Sequence, residues 1–240
     1  MTIERFHSEK EWIRAAQDAA LAACRLARSE GGQTLRFCLA GGSTPAPLYA
    51  ALASDPEFEA ECADIRLEIW LGDERQVPPD APERNAVMIR RSFAPALPGG
   101  FWALPAELHP WPDLPASEAA RLYAQKLEAA SGGLPVFDFV LLGMGADGHI
   151  AGLFPGDRSA LECRSAATAA RAPAEPAVRM TLTFPVFDAA RAVVLFVRGR
   201  GKAGAVDALA RGDVDLPAAR LRHGDARILY LEDSLGKNGE

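Results

Sequence analysis

The stretch from Phe137 to Gly156 reads FDFVLLGMGADGHIAGLFPG. Its opening, Phe137 to Leu142, is apolar except for Asp138 and stops at Gly143. That is the pattern of a short strand buried on both faces of a parallel sheet. Gly143, Gly145 and Gly148 then allow a sharp turn that brings backbone close to a ligand. Asp147 and His149 share the turn, an acid beside an imidazole, which supplies a proton acceptor and a group to orient it. An open α/β sheet holds its ligands in loops leaving the carboxyl ends of its strands. The spacing therefore predicts a site here.

Outward from this stretch, other strands empty into polar, glycine-containing loops. Leu35 to Ala40 runs into Gly41-Gly42-Ser43-Thr44-Pro45, and Ile65 to Leu71 into Gly72-Asp73-Glu74-Arg75. Ala192 to Val197 leads to Gly199-Arg200-Gly201-Lys202. Val178, Met180 and Leu182 alternate around Arg179 and Thr181 as a further strand, and Ala226 to Leu231 makes a last one. Helices are predicted between them. Ser8 to Glu11 has the form of a capping box ahead of Trp12, Ile13 and Ala16, and Gly31-Gly32 ends that helix. Pro47 opens Leu48 to Ala53, a helix spans Asn85 to Phe93, Ser117 caps one to about Ala130, and another passes through Val206 and Leu209. Leu97 to Pro115, with Pro98, Pro105, Pro110 and Pro112, reads as a surface connection. Residues 158–176 carry no assignable period, and Lys237 to Glu240 is expected to fray. Alternating strands and helices predict an α/β, Rossmann-like fold, a mostly parallel sheet with helices on both faces, built as a single domain over 1–240. In it the four loops share one edge.

Composition narrows the chemistry. Lys and Arg number 26 against 32 Asp and Glu, a net charge of −6, which argues against a nucleic-acid partner. Cys24, Cys38, Cys62 and Cys163 form no CxxC pair and read as free thiols of a reducing, cytoplasmic compartment. The charged start shows no signal peptide, and no apolar run is long enough for a membrane span. GMGADG matches GxGxxG, yet the strand-ending acid expected about 20 residues on is missing, so no dinucleotide cofactor is expected. Asp73, Asp147 and His149 are too few for a metal site when His7, His109 and His223 fall elsewhere. GGSTP offers N–H groups and hydroxyls for a phosphate, or simply a capped tight turn. Pro45 sits where GxSxG needs its last glycine, which disfavours serine-hydrolase chemistry. Arg179 inside an apolar strand needs an anionic partner, and Lys202 at a helix start opposes the helix dipole. A phosphate between them answers both.

Together, LAGGSTPAPLY at 39–49, WLGDERQVP at 70–78, the stretch at 137–156, RMTLTFPVF at 179–187 and GRGKAGAV at 199–206 resemble the 6-phosphogluconolactonase family. GGSTP and the Lys202 loop also look like those of the related glucosamine-6-phosphate deaminases. The resemblance implies a Rossmann-like hydrolase without nucleotide or metal cofactor, acting on a small sugar phosphate lactone. A monomer is expected, with a weak dimer as the alternative. It implies His149 as general base and a phosphate held near Gly42, Ser43, Thr44, Arg179 and Lys202. Asp73 and Arg75 would lie beside the reacting centre, and either Asp147 or Asp73 would orient the imidazole. Gly152 and Ala40 depart from the family, which more often has Ser at both places. Two other readings use the same loops: a sugar-phosphate isomerase or deaminase, and a non-catalytic sugar-phosphate-binding module.

Overall fold

The protein is described by a computed structural model covering residues 1–93, 106–162 and 164–232; the fraying expected at Lys237 to Glu240 lies outside them. The chain opens with a strand, β1 (Thr2–Phe6), then helix α1 (Glu9–Ser29). The Ser8 hydroxyl accepts from the Glu11 N–H at 3.4 Å, and Glu9 and Glu11 complement the positive end of the helix dipole. Then follow β2 (Thr34–Leu39), α2 (Ala46–Ala53), α3 (Pro56–Cys62), β3 (Arg66–Leu71), β4 (Asp73–Arg75) and α4 (Asn85–Phe93). The second half comprises β5 (Ala106–His109), α5 (Ala116–Ser131), β6 (Phe139–Leu142), β7 (Ala167–Arg171), β8 (Val178–Leu182), α6 (Phe184–Asp188), β9 (Val193–Arg198), α7 (Ala203–Ala210) and β10 (Arg227–Leu231).

Seven strands form one parallel sheet in the order β1-β10-β9-β6-β2-β3-β5. Register fixes its faces, because residues paired across parallel strands point the same way. Phe37 pairs with Phe139 and with Ile69, and Phe196 lies on that same face. There α1 covers the sheet: Trp12, fully buried, stacks on Phe196 at 3.5 Å and donates its indole N–H to the Leu229 carbonyl at 2.9 Å. Trp70 points to the opposite face, where Tyr123 of α5 meets it edge-on at 5.3 Å. Helices therefore cover both faces, which is why strands such as Phe139–Leu142 are buried residue after residue.

The order in which strands are added reverses between β2 and β6. From β2 the sheet grows outward through β3 to β5; from β6 it grows the other way through β9 to β10. The carboxyl ends of β2 and β6 thus flank a topological switch point, where such sheets open a crevice. The loops at 41–45 and 143–149 leave from there.

Four expectations change. Asp73–Arg75 is a strand rather than a loop, and Val178–Leu182 lies outside the parallel sheet: β4, β8 and β7 make a separate antiparallel sheet. The proline-rich connection contains β5, which pairs with β3. Ser117 does not cap α5; Pro115 occupies the N-cap and no side chain bonds there.

Candidate active site

A cleft of about 310 Å³ opens over the switch point. Its walls carry Gly42, Ser43 and Thr44 from the loop after β2, Asp73 and Arg75 from β4, His149 from the loop after β6, and Lys202 beyond β9. Asp147 and Arg179 are not part of that lining. Each stands directly behind a residue that is: Asp147 bonds His149, and Arg179 is paired in register opposite Arg75.

The turn that carries His149 is closed by its own backbone. Gly145 N–H donates to the His149 carbonyl at 2.9 Å, and Gly148 N–H to the Gly145 carbonyl at 3.1 Å. Inside it, Asp147 Oδ1 lies 2.6 Å from His149 Nδ1 and also accepts the His149 backbone N–H at 3.2 Å. Burial opposes ionisation of Asp147, but the hydrogen bond and charge of His149 outweigh it and hold the carboxyl below its ordinary value. A methyl at position 145 would overlap both Nδ1 of His149 and Oδ1 of Asp147, so glycine is what lets the pair form. With Nδ1 engaged, Nε2 is the nitrogen left to accept a proton. Of the two acids weighed for this contact, Asp147 makes it.

Across the cleft, burial raises the Asp73 carboxyl, while Arg75, Arg179 and His149 act against that rise. Asn85 Nδ2 donates to Asp73 Oδ1 at 3.1 Å and to the Asp73 carbonyl at 2.9 Å. Glu74, between Asp73 and Arg75, is fully buried; its carboxylate accepts the N–H groups of Arg75 (2.9 Å), Asn85 (2.7 Å) and Ala86 (3.0 Å). It therefore fastens β4 to the start of α4. Arg75 gives Nη1–H to the Glu83 carbonyl, and its Nε is buried with no partner among the described residues.

Arg179 is 8% exposed, and no carboxylate among the described residues is within ion-pair distance of it. Burial, then the neighbouring charge of Arg75, depresses its pKa. Two like charges directly opposite each other on paired strands are unfavourable. An anion between them reverses the sign of that term. Lys202 occupies the N-cap position of α7 with no capping bond of its own.

Sequence reasoning missed Asn85 and Glu74. Asn85 was visible only as the first residue of a helix, a place where Asn ordinarily caps. Nothing in the spacing shows that its carboxamide reaches back to β4. Among the described residues, no group of three or more His, Cys, Asp and Glu is arranged to hold a metal ion, and no helix is long and apolar enough to cross a membrane.

A family model described as glucosamine-6-phosphate isomerases/6-phosphogluconolactonase matches residues 7–230. A 6-phosphogluconolactonase from Streptomyces coelicolor is 36% identical over 241 residues, covering 95% of this chain and 90% of that protein. The human 6-phosphogluconolactonase is 36% identical over 228 residues, covering 90% and 85%. Among solved structures, 6-phosphogluconolactonase from Trypanosoma brucei superposes with a TM-score of 0.76 at 28% identity, over 96% of this chain and 95% of that one. The Thermotoga maritima enzyme gives 0.75 at 25% identity, over 97% and 99%. A chain that matches along nearly its whole length belongs to the glucosamine-6-phosphate isomerase/6-phosphogluconolactonase family.

Proposed function

We propose that this protein hydrolyses 6-phospho-D-glucono-1,5-lactone to 6-phosphogluconate, the lactonase step of the oxidative pentose phosphate pathway. The observation that carries the reading is the Asp147–His149 pair, 2.6 Å apart, at a cleft also lined by a guanidinium, an ammonium and a Ser-Thr loop. A lactone carbonyl is already electrophilic, so activated water suffices. His149 Nε2 takes a proton from water as its oxygen bonds to the carbonyl carbon. Arg75 faces the charge that develops on the carbonyl oxygen, and Asp147 stabilises the imidazolium. The ring C–O bond then breaks, and the departing oxygen receives the proton from His149. Meanwhile Gly42, Ser43, Thr44, Lys202 and Arg179 hold the phosphate, so binding energy remote from the breaking bond positions the carbonyl.

The whole chain acts as one domain, a cytoplasmic monomer, with no nucleic-acid or membrane partner. The test of the reaction is proton release on adding freshly made lactone, corrected for spontaneous hydrolysis. Release well above the spontaneous rate is expected. Ammonia from glucosamine 6-phosphate, or binding without any turnover, would instead identify the deaminase or the non-catalytic reading.

A further inference from the structure

Asparagine at a helix start is ordinarily explained as a cap, but at α4 the cap is supplied from elsewhere. The N–H groups of Asn85 and Ala86 are both taken by the Glu74 carboxylate. The Asn85 carboxamide is thus spare, and it is 1% exposed. Its Nδ2 makes two bonds, both to Asp73, while its Oδ1 is buried with no partner among the described residues. A methyl at Gly41 would overlap this side chain, so the first glycine of the phosphate loop is what admits it. A buried acceptor left unpaired is a cost to folding.

We infer that Asn85 is a positioning residue for the proposed hydrolysis, holding the Asp73 carboxylate in place at the cleft wall. The inference rests on the lactonase reading for its catalytic consequence. Asp73 has two cations within its electrostatic reach, Arg75 and Arg179. An unrestrained carboxylate would turn onto Arg75, which shares β4 with it, and withdraw that guanidinium from the reacting carbonyl. Held by Asn85, it stays where it also attracts the positive charge that His149 acquires during the reaction. Asp73 then serves the transition state and leaves the cations to the ligand.

The experiment compares wild type with Asn85→Ala and Asn85→Leu. The leucine variant keeps the branching, lacks a donor, and removes the orphan oxygen, so it should fold even if the alanine variant does not. The expected result is a fall in kcat of roughly 10- to 100-fold, the scale of one hydrogen bond to a charged group. KM should stay within about threefold, because the phosphate anchors lie on other loops. In the free protein, carboxyl-carbon NMR should show Asp73 titrating higher in the variants than in wild type, since a donor to its ionised form is gone. Native kcat in a folded variant overturns the inference, as does an unmoved Asp73 titration accompanied by parallel losses in kcat, KM and melting temperature. The titration needs no substrate. Were wild type itself inactive on the lactone, the proposed function would fail while the titration still decided what Asn85 does.

Discussion

The base proposed here, His149, needs little protein beyond Asp147 to hold it in place. Two side chains two residues apart meet because the turn between Gly145 and Gly148 folds one onto the other. Replacing His149 with Asn keeps polarity but removes the proton acceptor. General base catalysis contributes roughly 10²- to 10⁴-fold, and kcat should fall by about that factor while phosphate binding survives. A variant that hydrolyses lactone at the native rate would move the base to Asp73 or Asp147. Arg179 makes a different prediction. Its charge faces Arg75 across the β4–β8 pair; Asp73, Glu74 and Glu175 attract it, but among the described residues no carboxylate is within ion-pair distance, and burial with the Arg75 charge outweighs them. Arg179→Met keeps the apolar stem and removes the repulsion. Binding of the phosphorylated ligand should weaken by roughly 1.5–3 kcal/mol. The ligand-free melting temperature should hold or rise by about 2–4 °C, the yield of ~1 kcal/mol at this size. A clear fall in melting temperature would show that Arg179 supports the fold instead.

At the scale of elements, the second sheet is the anchor for the loop that carries His149. Gly152 N–H donates to Thr181 Oγ1 at 3.1 Å, and Thr181 Oγ1 donates to the Leu182 carbonyl at 2.8 Å. A Cβ at position 152 would lie 2.8 Å from Thr181 Cβ, so glycine and threonine are a fitted pair. This gives the departure at Gly152 a physical reason. Gly152→Ser should destabilise by about 1–3 kcal/mol through overpacking, measured by denaturant titration, and Gly152→Ser combined with Thr181→Ala should recover much of the loss. None of this sheet was legible as a sheet. Asp73–Arg75 is too short to show a period, and Ala167–Arg171 is made largely of alanine, which marks neither face. The central strands were legible because each is an apolar run. Even there β3 misleads, since Glu68 alternates as if exposed yet is 5% exposed and paired with Arg36 at 3.0 Å. β1 was missed for the opposite reason. It is an edge strand whose charges are answered across space, Glu4 by Arg227 and Arg5 by Asp207. The convergence of the loops on one cleft was legible too, because glycine, acid and histidine in one loop have few structural uses. What escaped were the buried supports, Glu74 and Asn85, whose partners lie on other elements.

Taken as a whole, the molecule puts its chemistry at one end of the sheet and its pH liability at an edge. His109 closes β5, is 3% exposed, and stacks on Trp70 with ring centroids 4.0 Å apart. Burial first, then the charge of Lys126, depresses its pKa below the ordinary value; Glu107 and Glu68 act the other way, and Arg66 adds to the depression. The unfolded chain titrates this group near 6.5, so in the window below that value the unfolded state binds the proton first. Stability therefore falls as pH drops through the window and is regained as pH rises. Asp73, Glu74 and Asp138 carry the opposite sign, because burial raises all three and the folded state takes up their protons first. A raw stability profile mixes these contributions, so the comparison that isolates His109 is a difference. His109→Phe keeps an aromatic ring against Trp70 and cannot be protonated. Wild type should lose stability relative to His109→Phe as pH is lowered from 7.5 to 5.5, followed by urea midpoints at constant ionic strength. Parallel profiles across that range would mean that protonated His109 is accommodated in the folded state, with Glu107, whose Oε1 lies 3.5 Å from Nδ1, as its counter-ion.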